Sequence, residues 1–100
     1  MSEDNTIPEE LEAALAESRE RLAEAPADMV VANHAMGLYE LAAIHLTSLP
    51  PRLPEAALAI DAVACLVDGL GDRLGEHHEI LATALATIRM AYVDLVRKPD

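Results

Sequence analysis

Four histidines, His34, His45, His77 and His78, are the best raw material for a site in this 100-residue chain. Neutral imidazoles bind zinc in sets of three or four ligands, together with carboxylates or thiolates. His34, His77 and His78, with Glu76 or Glu79, are the candidate metal ligands. Geometry argues against them. Adjacent residues on a helix point about 100° apart, so His77 and His78 are poorly placed to share one ion. The chain also has no His-x3-His pair and none of the Glu-x-x-His motifs of di-iron bundles. Solvated imidazoles in a first helical turn are the expected state, and no metal or cofactor is expected. His45 differs because it lies within an apolar stripe. A neutral imidazole hydrogen-bonded across the core is expected there. A pH-sensing role comes second, because imidazole changes charge near neutral pH.

The remaining reactive residues give no catalytic pattern. Cys65 is the only cysteine, flanked by Asp61 and Asp68. Negative neighbours disfavour a thiolate, so a nucleophile is not expected. Gly69-Leu70-Gly71 lacks the Gly-Lys-Ser/Thr ending of a phosphate loop. Tyr39 and Tyr92 stand without any Phe or Trp and read as core-edge packing with the hydroxyl reaching a partner. An enzyme is not expected.

The elements that would position these residues are helices. Nineteen Ala and fifteen Leu stand against eleven Val plus Ile. Ala and Leu lead the helix scale, whereas β-branched residues favour strands. An all-α fold follows: a small antiparallel bundle of three long core helices, preceded by an acidic amphipathic helix.

Residues 1–8 read as a disordered acidic tail, 9–25 as the acidic helix and 26–100 as the helical core. Thr6 and Glu9 have the spacing of a capping box. Leu11, Leu15 and Leu22 form a thin stripe on the first helix, too little to hold it folded alone. Pro26 and Asp28 start the second helix, expected over about 28–48. On a helical wheel Val31, Ala35, Leu38, Ala42, His45 and Leu49 share one stripe, opposite Asn33, Glu40 and Thr47. Apolar residues spread round most of this helix, which predicts neighbours on several sides and a central position. Pro50, Pro51 and Pro54 stop it and start the third helix, over 54–70. Ile60, Val63, Val67, Leu70 and Leu74 carry that core stripe. The fourth helix, over 76–96, carries Leu81, Ala84, Leu85, Ile88, Ala91, Tyr92 and Leu95.

Charge narrows the partners. The formal net charge is −11, and nine of the eighteen acids lie in residues 1–28 with only Arg19 and Arg21. That field repels phosphate backbones and anionic lipid surfaces, so nucleic acid is not expected as a partner. A basic protein surface could dock on residues 1–28. Residues 29–49 are long enough to suggest a membrane span. Asn33, His34, Glu40 and His45 interrupt them, so no membrane partner is expected. A lone cysteine and the acidic start Ser2-Glu3-Asp4 lead to the expectation of a cytoplasmic protein.

Several local sequences resemble the bacterial family called domain of unknown function 1844. Ala43-Ile44-His45-Leu46 is similar to its Ala/Val-x-His-Leu helix ending. Ile60-Asp61 and Gly71-Asp72-Arg73-Leu74 resemble its third helix and following turn. Ile88-Arg89-Met90-Ala91-Tyr92-Val93-Asp94-Leu95 is close to its Leu-Arg-x-x-Tyr-Val-Glu-Leu ending. Gly75-Glu76-His77-His78 stands where the family has Thr-Pro-Glu-Glu, and the first helix lies outside the resemblance. The resemblance implies a small cytoplasmic helical protein without assigned activity. It also hints at translation, since relatives are sometimes encoded beside the gene for translation initiation factor three.

The functional expectation is a non-enzymatic, self-associating interaction protein. Val31, Leu38, Leu41, His45, Leu58 and Cys65 are the candidate dimer-interface residues. The alternatives are a ligand- or metal-sensing bundle that uses the histidines, and a translation-associated accessory protein.

Overall fold

The computed structural model describes residues 8–98. All regular structure among them is helical: α1 (Glu9–Glu24), α2 (Ala27–Leu46), α3 (Leu53–Leu70) and α4 (His77–Arg97). A 3₁₀ turn, Gly71–Leu74, links α3 to α4.

Local chemistry sets the boundaries. Glu9, Glu10 and Glu12 occupy the first turn of α1, at the positive end of its dipole, and Arg21 lies in the last. Pro8 directly precedes the helix, so Glu9 is its first residue. The capping box expected three residues earlier does not fit this start; Thr6 itself and most of the expected tail lie outside the described residues. Pro26 precedes α2, and the Asp28 carboxylate accepts the Met29 backbone N–H at 2.8 Å. α2 stops at Leu46, two residues early. The Thr47 hydroxyl donates to the Ala43 carbonyl at 2.8 Å, and the Ser48 hydroxyl donates to the Ile44 carbonyl at 2.9 Å. These side chains satisfy carbonyls that a helix end leaves free. Pro54 lies in the first turn of α3, where its missing N–H matters little. Gly71 (φ 51°) and Gly75 (φ 61°) turn the chain into α4 through conformations that other L-residues resist.

α2, α3 and α4 each pack on the other two. The division of side-chain size explains how. Six of the fourteen buried core residues are alanines, and all six lie on α2 or α3: Ala32, Ala35, Ala42, Ala56, Ala59 and Ala64. Small facing residues let these two helix axes approach closely. α4 supplies bulk through Leu81, Leu85 and Ile88, and the inter-helix turn supplies Leu74.

Two expectations need correction. α3, with six buried residues, is the most enclosed helix, whereas α2 buries four. The core stripe of α2 is Ala32, Ala35, Ala42 and Leu46, turned about 50° from the expected one at 100° per residue. Leu38 and His45 therefore lie at its edge. Leu49 lies beyond the helix and is 95% exposed. The helical wheel misleads here because nearly every position of α2 is apolar, leaving the narrow Asn33–Glu40–Thr47 line as its only reference. Buried small residues, rather than the larger ones, mark the contact.

α1 takes no part in this core. None of its residues is buried, and it makes no extensive contact with α2, α3 or α4. No helix among the described residues is long and apolar enough to cross a membrane.

Candidate interaction surface

The histidines do not assemble. His34 is exposed on α2, and its Nδ1 lies 2.8 Å from the Val30 carbonyl. A carbonyl oxygen only accepts, so Nδ1 carries the proton in this contact. His77 and His78 are half-buried at the start of α4. Among the described residues, no three His, Cys, Asp or Glu side chains are grouped to hold a metal ion. The candidate grouping of His34, His77 and His78 with Glu76 or Glu79, which helix geometry already disfavoured, is not formed among the described residues.

His45 is half-buried on α2, and its Nδ1 is sealed from solvent without a hydrogen-bond partner among the described residues. The expected bond across the core is not made. Its backbone carbonyl does accept the Arg52 N–H at 2.9 Å, tying the loop to the end of α2.

The candidate interface residues divide into two groups. Val31 and Leu38 are half-buried against the chain's own core, so they are largely spent within the fold. Leu41 (42% exposed), Leu58 (70% exposed) and Cys65 are open to solvent. Leu41 is accompanied by Ile44 on the outer side of α2, while Leu58 and Cys65 share the outer side of α3.

Two further surfaces stand out, of which only the second went unrecognised in the sequence. The first is the leucine stripe of α1. Leu11, Leu15 and Leu22 sit at 49%, 40% and 60% exposure. A helix whose apolar stripe stays this open among the described residues presents that stripe outward. The second is a groove of about 440 Å³ between α3 and α4, lined by Ala57, Ile60, Asp61, Arg89, Tyr92 and Val93. Ile60 is buried, Tyr92 is half-buried, and Asp61 and Arg89 are exposed. Its residues were visible as Ala57/Asp61 and Arg89/Val93, two pairs four apart that fall on one side of each helix. Tyr92 instead read as ordinary core edge.

No family model matches this chain, and neither a curated protein nor a solved structure matches it.

Proposed function

We propose that this protein is a non-enzymatic helical interaction module that self-associates. The observation that carries this reading is α1, a 16-residue helix with three leucines and no buried residue. Short helices of this kind are marginal in water and gain their stability from a surface that covers the apolar side. Leu41, Ile44, Leu58, Ile80 and Met90 are exposed on the other helices and add apolar surface.

The module is an up-down-up bundle of α2, α3 and α4. Residues that share clefts support this order. Ala27, Asp28 and Val31, at the start of α2, adjoin Leu70, Arg73 and Leu74 after α3. Leu46 and Thr47, at the end of α2, adjoin Leu95 and Lys98 at the end of α4. The likeness of Ile88–Leu95 to family 1844 supports the same picture of a small cytoplasmic helical protein. Sedimentation equilibrium at tens of micromolar tests it. A species of about twice the 10.7 kDa chain is expected. A single-chain mass across the whole concentration range would remove the proposal.

A further inference from the structure

We propose that two copies associate by exchanging α1, so that the leucine stripe of each α1 fills the α3–α4 groove of the other copy. This rests on the self-association reading and names the surfaces that meet. The chain carries a helix with an uncovered apolar stripe and a groove with an apolar floor. The two cannot meet within one chain. α1 reaches α2 through Ala25 and Pro26 alone. That link spans about 10 Å at full stretch, roughly one helix diameter. No α2 residue lines the groove, so it opens on a face of the bundle that α2 does not cover. A second copy's α1 faces no such limit. The exchange is isologous, because each copy gives one helix and receives one.

Charge supports the pairing. α1 carries six glutamates against Arg19 and Arg21. Beside the groove, α4 presents Arg89, Val93 and Arg97 at four-residue spacing, all exposed. On a helical wheel Glu10, Glu17 and Glu24 lie on one flank of the leucine stripe, each about 10.5 Å from the next, and this acidic flank suits the arginines of α4.

Site-directed cross-linking tests the exchange. In a Cys65→Ser background, one full-length variant carries Leu15→Cys and another Val93→Cys. Mild oxidation of the mixture is expected to give a two-chain product at least tenfold above either variant alone. Leu15→Glu should weaken the dimer tenfold or more by sedimentation, with a loss of helical circular dichroism no larger than the 16 residues of α1 account for. Arg89→Glu should weaken it severalfold, and Glu17→Arg in the same chain should restore it. A chain carrying both Leu15→Cys and Val93→Cys that closes an intrachain disulfide at high dilution would overturn the exchange. So would a wild-type dimer that gives no mixed product and ignores Leu15→Glu, although self-association would then stand. A wild-type chain that stays monomeric would end both proposals.

Discussion

Gly75 sits where two constraints meet. Its φ of 61° with ψ of −138° strains any residue with a Cβ, and a Cβ built there would lie 3.0 Å from the Asp28 carboxylate. Gly71 shares the strain (φ 51°, ψ −127°) but faces open space. Both alanine variants should be destabilised, by about 1–3 kcal/mol from the backbone alone. Gly75→Ala should cost more than Gly71→Ala, and Asp28→Ala should close the gap. Urea unfolding of the four variants checks this; equal costs with or without Asp28 would show that the close approach carries no weight. His45 offers the opposite case. An unpartnered buried nitrogen costs free energy that an apolar side chain of similar size does not. His45→Leu should therefore stabilise by up to about 1 kcal/mol, read as a rise in Tm. A lower Tm would mean that Nδ1 finds a partner in solution. Sequence placed His45 on an apolar helix but could not supply its partner, because a hydrogen bond across a bundle depends on the rotation of each helix.

At the scale of elements, the sequence was most legible where the physical signal was local. Pro26, Pro54 and the Gly71–Gly75 stretch marked the helix ends to within about two residues, because missing N–H groups and positive φ act on the chain itself. On α3 and α4 the apolar stripes were clear: Ile60, Val63, Val67, Leu81, Leu85 and Ile88 are all buried. α2 was opaque for a physical reason. Its contact with α3 is made by alanines, and alanine gives a weak signal for which side of a helix is enclosed. That seam makes a sharp demand on size. Ala35, Ala42 and Ala56 have no exposed surface, so a larger side chain there must push the helices apart. Ala42→Leu should destabilise by about 1–3 kcal/mol through overpacking. Leu41→Ala, one residue away on the open side, should change single-chain stability by no more than about 0.5 kcal/mol. Chemical denaturation of both variants distinguishes the two sides. Similar losses would place the seam elsewhere.

Across the whole molecule, the division between an enclosed three-helix core and an uncovered α1 has a dynamic consequence. Helix stability in water comes mostly from tertiary burial, and opening free energies rise with it. Within a single chain α1 has no such support, while Val63, Ala64 and Val67 of α3 sit at the centre of the core. Sequence alone gave the thin stripe of α1 but not the absence of a place for it, since that is a property of the link at Ala25–Pro26 and of the faces the other helices leave open. Amide hydrogen exchange reads the difference directly. At concentrations far below the dimer dissociation constant, the amides of Glu9–Glu24 should exchange almost as fast as an unstructured peptide, and those of α3 should be the slowest. Raising the concentration should slow α1 by at least tenfold while leaving α3 little changed, because association covers the outer helix and adds little to a core already closed. Leu15→Glu should abolish that concentration dependence. If α1 were already protected at the highest dilution, its leucines would be covered within one chain. The surface on which both proposals depend would then not be free.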